Sequence, residues 1–134
     1  IGLKKTHNLG HTFAHAFEAT LKYSKKLNHG EAVILGMNTA LKFSLQKKFL
    51  VKSNYNSIIK HMSNPNLPSR LSRYFLMKDA KKILSYMSND KKNNSRMINL
   101  ILLKKIGSTI INKQFSKSSI YFFLKQELSN KNLQ

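Results

Sequence analysis

Apolar residues recur at helical spacing along most of this chain, which leaves room for little besides packed helices. Phe13, Ala16, Phe17, Thr20 and Leu21 share one face of a first helix, and Asn8 can cap it from a start near Leu9. After the turn "YSKKLNHG", a second helix is expected from Gly30 to about Lys48, with Val33, Ile34, Met37, Leu41 and Leu45 as its apolar stripe. Ser53 or Asn54 opens a third helix ending near Met62, and "SNPNLPSR" is a loop fixed by Pro65 and Pro68. A fourth runs from Lys78 to Ser88, with Ala80, Ile83, Leu84 and Met87 facing inward. The period changes once. Beyond the polar turn "NDKKNNS", the stretch "RMINLILLKKIGSTIINK" reads as two short strands joined around "KKIG". A helix over Ser118 to Leu128 closes the chain. The expected class is mainly α with a small β-hairpin, in one domain over residues 1–134, because no repeat or long linker divides it.

A chain of 134 residues can hide roughly two thirds of the surface its unfolded form exposes. The absence of cysteine excludes disulfides, zinc–thiolate sites and a cysteine nucleophile, and suits a reducing, cytoplasmic setting. The longest apolar run, Ile98 to Leu103, is interrupted by Asn99 and falls far short of the roughly 18 residues a membrane span needs. No apolar block follows Lys4 and Lys5, so the first residues do not resemble a signal peptide, and the start at Ile1 suits a fragment. The net charge of +19 invites a polyanionic partner. Its distribution argues against nucleic acid: lysines come in ones and twos from Lys4 to Lys131, and arginine appears only at 70, 73 and 96. Attraction for anionic small molecules is expected either way.

Four of the five histidines, His7, His11, His15 and His29, lie in the first 29 residues. His11 and His15, four residues apart, project from one helical face. His29 precedes Gly30, which lets the backbone pass close to a neighbour, and Glu31 at the start of the next helix. Bringing the two helix starts together gathers three imidazoles, which suit Zn²⁺ and titrate near working pH. No glutamate sits between His11 and His15 in the manner of an HExxH protease. On spacing alone, metal binding and a chance pairing on a lysine-rich helix remain equal alternatives. His7 and His61 read as packing or surface residues.

Taken whole, "NLGHTFAHAFEA" followed by "LNHGEAVILGM" resembles the paired histidine motifs of the 3-dehydroquinate synthase family. Downstream, "MSNDKKNNSRMINLILLKKIG" resembles that family's D-K-K segment, its hydrophobic strand and its following Ile-Gly. The likeness runs from Leu3 to near the C-terminus. It implies a helical C-terminal domain without the N-terminal Rossmann-like domain that carries NAD⁺, consistent with the lack of a Gly-rich strand–turn–helix motif here. The implied reaction cyclises a phosphorylated seven-carbon keto sugar acid, 3-deoxy-D-arabino-heptulosonate 7-phosphate, to 3-dehydroquinate with loss of phosphate, in the shikimate pathway of aromatic amino acid biosynthesis. It uses NAD⁺ and Zn²⁺ or Co²⁺, and the whole enzyme is often a homodimer.

By motif position, His11 and His29 match two of three zinc ligands, the third being a glutamate in the part of the family enzyme that precedes this chain. His15 matches a histidine that serves phosphate elimination and proton transfer. Asn8 matches a substrate-binding asparagine, Lys91 a lysine that binds the anionic substrate and serves catalysis, and Lys4 stands where the family usually has a substrate-binding arginine. Ala14 replaces a glycine between the histidines, Lys4 loses the bidentate fork of arginine, and the turn before His29 is one residue longer than the common form. Glu18 and Glu31 read as supports for the histidines or the helix start, because carboxylates commonly orient ligating imidazoles. The fragment is expected to need its NAD-binding half. The alternatives are a sibling sugar phosphate cyclase, a relative of the iron-type alcohol dehydrogenases, a basic nucleic-acid-binding module, and a decayed gene fragment that folds poorly and has no function.

Overall fold

Seven of the eight phenylalanines belong to one connected set of ring contacts, and the helices are arranged around it. The computed structural model describes residues 9–62, 66–88, 96–104 and 109–129. Its helices are α1 (His11–Thr20), α2 (His29–Gln46), α3 (Lys52–Met62), α4 (Ala80–Met87) and α5 (Lys117–Ser129). Short 3-10 turns at Leu71–Arg73 and Met77–Asp79 precede α4, and strands β1 (Met97–Lys104) and β2 (Thr109–Ser116) precede α5. The mainly helical class with one hairpin is therefore the observed one.

Phe13 of α1, Phe43 of α2 and Phe123 of α5 form the centre, with ring centroids 6.3, 6.2 and 5.0 Å apart pairwise. Phe115 of β2 stands edge-on to Phe43 at 4.9 Å, which ties the hairpin to the helices. Such edge contacts add to plain burial because the positive rim of one ring meets the negative face of another. The strands pair antiparallel, with Ile98 opposite Phe115 and Leu102 opposite Ile111. Ile98, Leu100 and Leu102 point to the core at period two, while Asn99 faces out.

Helix α2 departs from expectation. Val33, Ile34, Met37 and Leu45 are only half-buried, and the deeply buried positions include Ala32, Leu35, Thr39, Ala40 and Phe43. The helix runs through the interior and is covered on nearly every side, so a single apolar stripe does not describe it. Its buried hydroxyls are satisfied within the helix: Thr39 Oγ1 donates to the Leu35 carbonyl at 2.7 Å and Ser44 Oγ to that of Ala40 at 2.9 Å. Polar residues can thus occupy core positions that a hydrophobicity pattern assigns to the surface. Both α1 and α2 end by passing through the left-handed region without glycine, at Lys22 (φ 55°), Tyr23 (φ 57°) and Lys48 (φ 65°). Tyr23 N–H then bonds the Glu18 carbonyl and Phe49 N–H that of Ser44, closing the last helical turns. No helix among the described residues is long and apolar enough to cross a membrane.

All four acidic residues among the described ones have an internal partner. Glu18 contacts His29, Glu31 accepts from Asn28 N–H at 2.9 Å, Asp79 accepts from Leu76 N–H at 2.7 Å, and Glu127 lies 3.5 Å from Lys42. Lys42 also donates to the Ser69 carbonyl at 2.8 Å, so one ammonium joins α2, α5 and the loop after α3.

Two predictions follow from buried groups. Thr20 Oγ1 is buried with no hydrogen-bond partner among the described residues. Replacing it by an isosteric methyl in Thr20→Val removes an unmet hydroxyl and is expected to raise stability by about 1 kcal/mol, read by urea unfolding; a loss would show that the hydroxyl is satisfied. Tyr55 has its pKa raised, first by burial and then by the nearby Glu127 charge. The fold therefore favours the neutral phenol. That contribution is complete below the usual tyrosine range near pH ~10 and is lost as pH rises through the raised value. Wild type should lose more stability than Tyr55→Phe between pH 9 and pH 11; equal losses would remove Tyr55 as the cause.

Candidate functional site

The N-terminal end of α1 is set by a backbone-to-backbone approach. Gly10 takes φ 74° at the N-cap, and its carbonyl accepts the first helical bond from Ala14 N–H at 2.8 Å. A Cβ on Gly10 would run into the carbonyl of Gly36, in the middle of α2. One on Gly36 would lie 2.6 Å from the Gly10 oxygen and 2.9 Å from the Ala14 methyl. The helix thus starts at His11 behind a left-handed glycine, whereas capping by Asn8 from a start near Leu9 was expected. The left-handed turn is what lets α1 meet α2 without side chains between them. Gly30, expected to permit a close approach, permits none: a Cβ there would make only an ordinary contact, with Asn28 Oδ1 at 3.6 Å.

The other end of the helix pair is fixed by a polar contact. Asn28 caps α2 with its side chain accepting from Glu31 N–H at 2.8 Å, and Glu31 returns the bond to Asn28 N–H. This holds His29 as the first residue of α2. Its Nδ1 lies 3.1 Å from Glu18 Oε2. Gly10 and Ala14 oppose Gly36 while Glu18 opposes His29, so the helices run antiparallel. Of the two carboxylates expected to support the histidines or the helix start, Glu18 does the first and Glu31 the second.

His11, His15 and Glu18 follow one another on a single face of α1, at i, i+4 and i+7. Both histidines are exposed, directly opposite the buried Phe13 and Phe17. The His29 side chain is 78% exposed but Glu18 only 14%, so the ring stands outside its carboxylate partner. Glu18 sits two helical turns or about 10 Å along α1 from His11, and His29 reaches it from the start of α2. Three histidines therefore share one solvent-facing side of the α1–α2 pair. Among the described residues no three His, Asp or Glu side chains gather closely enough to hold a metal ion. Lys4, Asn8 and Lys91 lie outside the described residues, as do His7, Asp90 and Lys92. His61 is exposed on α3, its Nδ1 3.1 Å from the Ser57 carbonyl oxygen, away from this group. The turn joining α1 to α2 exposes Lys22, Lys25 and Lys26, so the His29 end lies in a positive field suited to anions.

The arrangement of these elements matches a known fold. A crystal structure of 2-deoxy-scyllo-inosose synthase complexed with carbaglucose-6-phosphate, NAD⁺ and Co²⁺ superposes with a TM-score of 0.66 at 21% identity, over 90% of this chain and 33% of that one. A second structure of 2-deoxy-scyllo-inosose synthase gives 0.60 at 18% identity. The chain thus has the fold of one portion of these synthases. Its sequence narrows the class. The family described as 3-dehydroquinate synthase C-terminal matches residues 1–93, and the chain belongs to it. It is 52% identical to the 3-dehydroquinate synthase of Pelagibacter ubique over 96% of its own length, and 35% identical to that of Zymomonas mobilis over 97%. It spans about a third of the length of these relatives: 35% and 34%.

The glycine contact makes a sharp prediction. Gly36→Ala forces a methyl against the carbonyl of the N-cap Gly10 and the Ala14 methyl of α1, a helix held by the core, and should cost roughly 1–3 kcal/mol of stability. Thermal unfolding measures this; an unchanged midpoint would mean that the two helices separate freely.

Proposed function

We propose that this chain is the metal- and substrate-binding domain of a 3-dehydroquinate synthase, with residues 1–134 forming that one domain. The observation that supports it best is the common exposed face of His11, His15 and His29, built on the helix pair that the family match covers. The donor chemistry fits a divalent ion of the Zn²⁺ or Co²⁺ kind, since imidazole nitrogen suits both. His29 has Nδ1 engaged by Glu18 and Nε2 directed away from it, and His11 offers a second exposed ring. A third donor must come from beyond the described residues, because none of them completes a set of three.

In this reading His11 and His29 hold the metal, which when bound acts as a Lewis acid on substrate oxygens. His15, one turn from His11, takes up and returns the proton that moves as the phosphate ester is eliminated. Asn8 orients the substrate by hydrogen bonding. Lys4 and Lys91 neutralise its carboxylate and phosphate, and Lys91 also steadies the charge that develops on the leaving group. NAD⁺ belongs to a Rossmann-like half outside this chain, and the product is 3-dehydroquinate, made in the cytoplasm for the shikimate pathway. The full enzyme is read as a homodimer.

A chimera tests this. Substituting this chain for the matching third of the Pelagibacter ubique relative should give an enzyme that releases phosphate from 3-deoxy-D-arabino-heptulosonate 7-phosphate when NAD⁺ and Zn²⁺ are supplied. His11→Ala or His29→Ala in that chimera should lower turnover by at least ~100-fold, as loss of a ligand to a catalytic metal implies, and His15→Ala by about 10²–10⁴-fold. The isolated chain should show none. Robust turnover by the chain alone, or a folded chimera indifferent to His11 and His29, would sink the assignment.

A further inference from the structure

We propose that Glu18 is a positioning residue that locks His29 in the Nδ1–H tautomer and turns its Nε2 lone pair outward; the inference rests on the reading of His29 as a metal ligand. A neutral imidazole has one donor and one acceptor nitrogen, and which is which depends on its partner. Here a carboxylate, able only to accept when ionised, faces Nδ1 at 3.1 Å. The proton must then sit on Nδ1, leaving Nε2 bare.

The burial of the two side chains sets their order. Glu18 is 14% exposed and the His29 side chain 78%, so anything approaching from solvent meets the ring before the carboxylate. Glu18 is thereby suited to act through the imidazole and not as a ligand in its own right. The backbone supports this division. Glu18 sits on the helix whose other end is fixed at Gly10 against Gly36, and His29 is held at the first position of α2 by the Asn28–Glu31 capping box. Neither partner can move along its helix without breaking one of these contacts. Carboxylates placed in this way raise the basicity of a ligating imidazole and fix its direction, and their removal commonly weakens metal binding by about 10–100-fold.

Two measurements separate this inference from the reading beneath it. The first needs no metal: nitrogen-15 NMR of the 134-residue chain at a pH where imidazoles are neutral. His29 should be Nδ1–H in wild type, remain so in Glu18→Gln, whose amide oxygen still accepts, and shift towards Nε2–H in Glu18→Ala. A wild-type Nε2–H tautomer, or an unchanged tautomer in a folded Glu18→Ala, overturns the proposal. The second is the Co²⁺ dissociation constant of the chimera described above. Glu18→Ala should raise it about 10–100-fold, with Glu18→Gln closer to wild type and His29→Ala at least as weak as Glu18→Ala. If His29→Ala leaves Co²⁺ affinity intact while the tautomer behaves as stated, the ligand assignment falls and the latch stands. If His29→Ala weakens binding but Glu18→Ala does not, Glu18 has no positioning role.

Discussion

The contact between Gly10 and Gly36 governs this fold. Two helices meet there backbone to backbone, and neither glycine can accept a side chain without parting them. Close contact fixes their separation more rigidly than interdigitated side chains would, since the carbonyl and Cα atoms have no rotamers with which to adapt. His11 is the next residue after one of these glycines, and His29 lies seven residues before the other. Both histidines therefore inherit their placement from the same contact. On the opposite side of α1, Phe13 and Phe17 enter the ring cluster that also holds Phe43 and Phe123. The helix is fastened inside by aromatic packing, and its His11 and His15 are exposed on the other side.

Much of this architecture was legible in the residues. Periodicity located the five helices and the hairpin of the described residues, because long amphipathic segments and a β-rich run leave few alternatives. It failed at places where a second effect intervened. The stripe of Val33, Ile34, Met37, Leu41 and Leu45 caught only part of the buried surface of α2: Leu41 is in the core and the others are half-buried, while Thr39 and Ser44 satisfy themselves on carbonyls one turn back and so tolerate burial. The ends of α1 and α2 were placed to within about two residues, although the backbone there turns left-handed at Lys22, Tyr23 and Lys48 without glycine. The site showed the same division. Spacing singled out His11, His15 and His29, and all three are exposed on the α1–α2 pair. The tight glycines did not: Gly30, beside a histidine, attracted the role that belongs to Gly10 and Gly36, and only the packing of α1 on α2 distinguishes them.

The supporting carboxylates show how similar residues diverge by position. Glu18 and Glu31 both lie near His29 in sequence. Glu31 is three residues past the N-cap, where its side chain reaches back to the backbone and completes a capping box. Glu18 arrives from another helix and meets the imidazole itself. One secures where α2 begins; the other acts on the ring that stands at that beginning. The distinction comes from the antiparallel register of α1 against α2, which the linear order does not contain.

The internal engagement of every described carboxylate has a consequence for the molecule as a charged body. Each described negative group is occupied at close range, while 24 lysines and arginines stand against only five acids in the whole sequence. So few negative charges do little to temper the repulsion among the cations at longer range. Such a particle folds against its own electrostatic pressure, and mobile counter-ions relieve that pressure over a distance of about 8–10 Å at ordinary ionic strength. Its cohesion and its tolerance for a second copy nearby become properties of the surrounding electrolyte as much as of the polypeptide.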